Sequence, residues 1–500
     1  MFLLPQQRAL PVATAARAGN NPALPRSQGS WRPRFSAFVL SFTAFLAIGV
    51  WTWLHAGPTG PLDRYLAVFW TLPTLIAVLG LAGAVRARRQ VRDHGPVEEV
   101  TSLLVVVIPT VGRLDTLPAL ERVLRVSSRS LLACFGQFRV DVVVEENCAG
   151  RRAIEDLAAQ LDNTNVLVVP ASFRTVNRTR FKARANHYAN LIRAADGEVR
   201  DDVWVLHMDD DTDLRSDTAA ELARFVTAQQ AAGEDGLDLA QGILCYPREL
   251  AVNRLVWLAD AVRPGCDISI FSATTGTGMP RAGLHGEMLL VRASIEAVIG
   301  WDFGPRTIVE DAQFALHFCA RYPGRSGWIP ARSYGASPAT PADFVRQRER
   351  WVWGLLELVA GRSQRYAPNR MGASQPTHPS RWHGLLMLHN TVVWACAPLG
   401  HPLTVVALCL LLGDLETSAP VAAIVPLWSL NAGYGIWLYW EGLKLNAAAS
   451  DSGGRVWWEP VVLLVLNPMF TLWEVVGIVR GISRFLRGGE PRFTVIPKLA

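Results

Sequence analysis

Residues 202–211 read DVWVLHMDDD. An apolar run closed by clustered carboxylates is the pattern of a buried strand whose end carries chemistry. Carboxylates at i and i+2 can face one ion where a chain turns at a strand end. Hard cations such as Mg²⁺ or Mn²⁺ take oxygen ligands of this kind, with diphosphate oxygens completing the shell. Asp209 and Asp211 are therefore the expected metal ligands, with Asp210 beside them. The string DDDTD also suits a cap on a following helix, and taken alone it leaves both readings open. His207 is expected on the Asp209 side of the strand by the period of two, as a core or supporting histidine.

Outward from this strand the same grammar repeats. TSLLVVVIPT (101–110), RVDVVVEEN (139–147) and NVLVVPA (165–171) read as buried strands. Helices are expected over 115–133, 151–161, 180–195 and 216–232. Strands alternating with helices predict an α/β sheet. The catalytic domain is placed at 87–380, and no internal repeat interrupts it.

The flanks differ. Residues 1–34 form a basic tail rich in Ala, Pro and Arg, expected to be disordered. Residues 35–55 and 65–85 are uncharged, apolar and about 20 residues each, enough to span a hydrocarbon core. They predict a transmembrane hairpin over 35–86. RARRQVR (86–92) follows, and Arg26, Arg32 and Arg34 precede. Basic flanks on both ends place the tail and the catalytic domain in the cytoplasm. From 381 to 500 a C-terminal transmembrane or interfacial region is expected, with candidate spans at 384–412, 419–440 and 457–479. The last is the weakest because Glu459 and Glu474 interrupt it, and it can instead lie in the interface. His389 and His401 fall within these apolar stretches.

Composition agrees. Only 18% of residues are charged, against about 25% in a soluble domain. The net charge of +6 sits beside apolar runs, with no basic stripe interleaved with aromatics, which argues for a membrane and against nucleic acid. The seven cysteines include no CxxC pair and predict a reduced protein.

Several motifs fall in a fixed order along 101–351: VVIPTVGR (106–113), VVEEN (143–147), FKARANHYAN (181–190), Asp209-Asp210-Asp211, VEDAQF (309–314) and QRERW (347–351). The ordered set resembles glycosyltransferase family 2, inverting enzymes with a GT-A, Rossmann-like nucleotide-sugar domain. HMDDDT, HGEMLLVR (285–292), SPATPADFVRQRERW (337–351) and FTVIPK (493–498) are similar to the egghead-type β-1,4-mannosyltransferases within it. The chain departs from that group at Asp210 and Asp211, where glutamates are expected.

The resemblance implies roles. Pro109 belongs to the loop that meets the nucleotide, and Glu146 to the base-binding position. Lys182 and Arg184 are candidates for donor phosphates. Asp311 is the expected catalytic base, with Glu310 as its neighbour; capping of the helix that follows is the alternative. Gln347, Arg350 and Trp351 are expected at the donor and acceptor, Arg350 as a forked donor to diphosphate and Trp351 as a flat face for a sugar or a neighbouring helix. An inverting displacement needs a base for the acceptor hydroxyl and positive charge at the departing diphosphate. The expected activity is transfer of one sugar from GDP-mannose or a UDP-hexose to a lipid-linked or glycolipid acceptor. The expected setting is the cytoplasmic face of a multi-pass protein of a bacterial plasma membrane. A processive polysaccharide synthase and a non-catalytic membrane scaffold are the alternatives.

Overall fold

The valine-rich run Leu103–Pro109 (β1) is an inner strand of a seven-stranded sheet. Its even residues, Leu104, Val106 and Ile108, enter one core with Leu124 and Trp204. Its odd residues, Leu103, Val105 and Val107, enter a second with Tyr188 and Trp301. The computed structural model describes residues 32–55, 61–91, 99–361, 421–451 and 456–490.

The remaining strands are Phe138–Glu145 (β2), Thr164–Val169 (β3), Val203–His207 (β4), Leu239–Cys245 (β5), Leu289–Arg292 (β6) and Ser326–Tyr334 (β7). Their order across the sheet is β3-β2-β1-β4-β6-β5-β7. The first four are parallel. β6 runs antiparallel to both its neighbours, and β5 pairs with β7 in parallel. The expected α/β sheet is thus a mixed one. Helices Leu117–Leu132, Arg151–Ala158, Phe181–Ala195 and Ser216–Ala232 fall where the sequence places them.

The membrane expectation needs correction. Among the described residues only Trp458–Arg487 is long and apolar enough to cross a bilayer, and Ser36–Trp51 is a shorter apolar helix. An N-terminal spanning hairpin and a multi-pass arrangement are not supported. The region 35–86 does form two helices, Ser36–His55 and Pro61–Gln90. The second, however, buries Ala77, Ala84 and Ala87 in a protein core with Ile268 and Trp437. Its glycines meet protein as well: Gly80 lies against Tyr434, and Gly83 against the Ser269 carbonyl. Small residues, apolar by composition, here serve close helix packing. The expected span at 419–440 is part of the helix Val421–Ala449, which buries a Glu441–Lys444 pair at 2.6 Å. The stretch 384–412, with His389 and His401, lies outside the described residues, as does FTVIPK.

Trp458–Arg487 reverses the ranking of candidate spans. The two glutamates that count against it face protein. Arg248 forks onto Glu459 with both contacts at 2.8 Å, and Arg348 reaches Glu474 at 2.8 Å. Farther along, Arg484 pairs with Glu349. Gly477 and Gly481 admit the helix Pro341–Val359 so closely that an added Cβ would lie 2.6 Å from Arg348 Cβ and 2.8 Å from the Glu349 carbonyl, respectively. Val461, Leu464, Val465, Leu472, Val476 and Val479 are exposed. The anchors at 459 and 484 bracket roughly 37 Å of helix, so its whole length lies along the domain.

Candidate active site

The order of strands reverses beside β1, and in open α/β sheets such a point opens a ligand crevice at the carboxyl ends. Here Pro109 and Thr110 leave β1 while Asp209, Asp210 and Asp211 leave β4. Thr110 Oγ1 donates to Asp210 Oδ2 at 2.5 Å and accepts from the Gly112 amide at 3.1 Å. Gly112 turns the chain with φ +66°, a conformation costly for any residue with a Cβ. Asp211 is buried, and its carbonyl accepts from Arg122 at 3.1 Å. Asp209 is held by Lys182 Nζ, which also donates to the Gly286 carbonyl at 3.3 Å. The three aspartates therefore have three distinct neighbourhoods.

Lys182 opens the helix Phe181–Ala195 behind a residue in an unusual conformation. Phe181 has φ +58°, and such a bulky residue there costs about 1–3 kcal/mol. Burial pulls the Lys182 ammonium down, but Asp209, Glu310 and Glu287 together raise it above its ordinary value, so it stays charged. Arg184, two residues on, finds other partners than the aspartates. It pairs with Glu145 and donates to the Pro170 and Phe173 carbonyls at 2.9 and 3.1 Å. Glu146 follows β2 and accepts from the Ala171 amide at 2.7 Å. The sequence places both near phosphates and base; the structure ties both to the β3 exit loop.

Asp311 is the second residue of the helix Glu310–Arg321, whose N-cap is Val309. Asp311 Oδ1 accepts from the Ala312 amide at 2.8 Å. Its position is bracketed by Gly286: a Cβ there would stand 2.5 Å from Lys182 Nζ and 3.8 Å from Asp311 Oδ2. Burial, aided by Glu310 and opposed by Lys182, raises the Asp311 carboxyl to about 7. The side chain nonetheless keeps some contact with solvent. A carboxylate that changes state near neutrality beside a fixed ammonium can accept a proton from a bound hydroxyl.

Behind Gly286 lies a pair of which only the histidine, at the head of HGEMLLVR, stands out in the sequence. His285 Nε2 is 3.0 Å from Asp267 Oδ1, and both are buried. Asp267 opens a π-helical turn, Asp267–Phe271, and its other oxygen accepts from the Leu244 amide at 2.9 Å. Burial holds His285 well below its ordinary value and raises Asp267 to about 7. His207 is the supporting residue expected: it pairs with Glu296 at 3.0 Å in the core.

QRERW lies on the helix Pro341–Val359 and divides in two. Gln347, Arg348 and Glu349 are buried. Arg348 donates to Gln347 and Asp260, both at 2.6 Å, besides Glu474. Arg350 and Trp351 are half-buried. The Trp351 ring lies under two guanidiniums, Arg348 at 4.6 Å and Arg263 at 4.9 Å. Its face is therefore engaged by cations.

Residues 204–439 match a family model described as Glycosyl transferase family group 2. That match takes in just under half of the chain and likens it to family 2 glycosyltransferases. It is 27% identical over 318 residues to the β-1,4-mannosyltransferase egh of Drosophila melanogaster, covering 61% of this chain and 64% of that one. It is 27% identical over 201 residues to the β-1,4-mannosyltransferase bre-3 of Caenorhabditis briggsae, covering 39% of this chain and 41% of that one. The chain thus spans less than two thirds of the length of these relatives. Among solved structures it resembles the mannosyltransferase PcManGT from Pyrobaculum calidifontis in complex with GDP-Man and Mn²⁺, at 14% identity and a TM-score of 0.45, covering 85% of this chain and 99% of that one.

A metal at this crevice would rest on carboxylate oxygens. Among the described residues no group of three or more His, Cys, Asp or Glu side chains is placed to hold an ion. A Mg²⁺ or Mn²⁺ site built from one or two carboxylates and substrate phosphates needs no such cage. Asp209 and Asp211 supply hard oxygens of that type, although Asp209 already carries Lys182.

Proposed function

We propose that this glycosyltransferase moves one mannosyl residue from GDP-mannose to a lipid-linked acceptor with inversion at the anomeric carbon. The observation that carries the reading is the cluster of Lys182, Gly286 and Asp311 beside the three aspartates. Lys182 supplies positive charge at the departing diphosphate. Asp311 accepts the proton of the acceptor hydroxyl, and Glu310 raises its basicity. Asp209 and Asp211 would hold a divalent cation, which adds counter-charge to the leaving group. The 27% identity to two β-1,4-mannosyltransferases supports the sugar.

The apolar face of Trp458–Arg487, anchored at both ends to the domain, supports a lipid partner. We place that helix flat in the cytoplasmic membrane surface, with the catalytic domain on the same side. The test offers purified protein a panel of GDP-mannose, UDP-glucose and UDP-N-acetylglucosamine with glucosyl lipids of two kinds, one neutral and one linked through diphosphate. Single-sugar addition from GDP-mannose, abolished by chelation and restored by Mg²⁺ or Mn²⁺, is expected. Transfer from a UDP-sugar alone would overturn the donor assignment, and a long polymer would assign a processive synthase.

A further inference from the structure

A cleft of about 1120 Å³ opens between the start of the helix Phe181–Ala195, the QRERW helix and the end of Trp458–Arg487. Its charge is lopsided. Arg180, Arg480, Arg484 and Arg487 line it against two carboxylates, Glu349 and Glu490. Both carboxylates are already engaged, Glu349 by Arg484 and Glu490 by Arg180 at 3.1 Å. Among the described residues no carboxylate pairs with Arg480 or Arg487.

Arg480, Arg484 and Arg487 stand at i, i+4 and i+7, on one face of one helix, where like charges repel. The dipole of the helix C-terminus accounts for the last turn, Arg484 and Arg487. It does not account for Arg480 a turn earlier, nor for Arg180 arriving from another element. Guanidinium forks converging in one concavity match phosphate oxygens. The walls are apolar as well: Phe181, Val479 and Trp353 line the cleft, and Arg484 stacks on Trp353 at 5.6 Å. The exposed apolar residues of Trp458–Arg487 run up to its mouth at Val479. On the inner side, Phe181 adjoins Lys182 and Glu349 adjoins Arg350.

We infer that this cleft binds the phosphate or diphosphate group of a lipid, and that the acceptor is a phosphate-linked rather than a neutral glycolipid. The inference rests on the lipid-acceptor reading above and deepens it. Arg480 and Arg487 contact the phosphate oxygens, and the alkyl chain leaves along the apolar face of Trp458–Arg487.

The experiment titrates the full chain in neutral detergent with farnesyl diphosphate, inorganic pyrophosphate and octyl glucoside, and separately with GDP-mannose. Farnesyl diphosphate is expected to bind more tightly than the other two probes. Arg480→Gln/Arg487→Gln should weaken it at least tenfold and leave GDP-mannose binding unchanged. Ser483→Glu, which puts a negative charge into the same cleft, should weaken it too, and serves if the double variant does not fold. Pyrophosphate binding as tight as farnesyl diphosphate would reduce the cleft to an inorganic anion site and overturn the inference. Loss of GDP-mannose affinity in the folded variant would reassign the arginines to the donor. No farnesyl diphosphate binding, with mannosyl transfer to a neutral glucosylated lipid intact, would overturn the cleft alone. Loss of transfer to every lipid would overturn the acceptor reading itself.

Discussion

The crevice between β1 and β4 and the buttress formed by Trp458–Arg487 hold the candidate active site by opposite means. At the crevice, polar groups follow strands whose apolar interiors are continuous in sequence: Thr110 leaves β1 and Asp209 to Asp211 leave β4, while Lys182 and Asp311 come from the starts of helices. At the buttress, the fold is closed by ion pairs between segments far apart in the chain: Arg248–Glu459, Arg348–Glu474 and Arg348–Asp260. The contrast teaches that one motif can serve both. In QRERW, Gln347, Arg348 and Glu349 are buried toward the buttress and act as a bracket, with the Trp351 ring stacked under Arg348, while Arg350 is half-buried.

The largest effect should come from breaking the bracket. Arg348→Met leaves Glu474 and Asp260 buried without their cation, which costs about 3–5 kcal/mol. Denaturant unfolding should show it, and Arg350→Met should be far milder in stability while reducing transfer. Equal loss of stability in the two variants would erase the proposed division of the motif. At the crevice, Lys182→Met should lower kcat about 10²–10³-fold, the usual size for a lost preorganised charge, with a small change in melting temperature. A collapse of stability instead would make Lys182 a strut for Asp209.

Next in size is the helix groove. Gly481→Leu forces a side chain against the Glu349 carbonyl and Val352, and overpacking of this kind costs about 1–3 kcal/mol. Thermal melting checks it; an unchanged melting temperature would mean the two helices part easily. The smallest effect is one of sign. A carboxyl whose folded pKa lies above its unfolded value takes up protons on folding. Asp311, raised to about 7, therefore costs the fold stability as pH rises from the ordinary carboxylate range toward 7. The stability of Asp311→Asn relative to the parent should rise as pH goes from 5 to 7 and level off by pH 8, and a fall over that range would contradict the burial of that carboxylate.

How much of this was legible follows from how each part is built. β1 to β4 are parallel strands covered on both faces, so they read as unbroken apolar runs, and Asp209 to Asp211 announce themselves at the end of one. β5, β6 and β7 were not read. β6 has only four residues, β7 contains Pro330, and β5 slips register against β7 between Gln241 and Ile243. Glu459 and Glu474 misled because a charge in an apolar helix is read against lipid until its partner is known. The partners, Arg248 and Arg348, lie more than a hundred residues away. His285 stands out in sequence only as the residue before Gly286, and its partner Asp267 gave no warning, since a π turn has no composition of its own.

The account stands on Asp311 as the base beside the donor cluster. The most direct measurement compares Asp311→Asn with the parent for GDP-mannose affinity by titration and for mannosyl transfer by product formation. Asparagine keeps the size of the side chain and an oxygen for the Ala312 amide, yet cannot take the acceptor proton. The account predicts unchanged donor affinity with turnover down about 10²–10⁴-fold, and a milder loss for Glu310→Gln. Near-normal turnover in Asp311→Asn would remove Asp311 from the chemistry and contradict the mechanism.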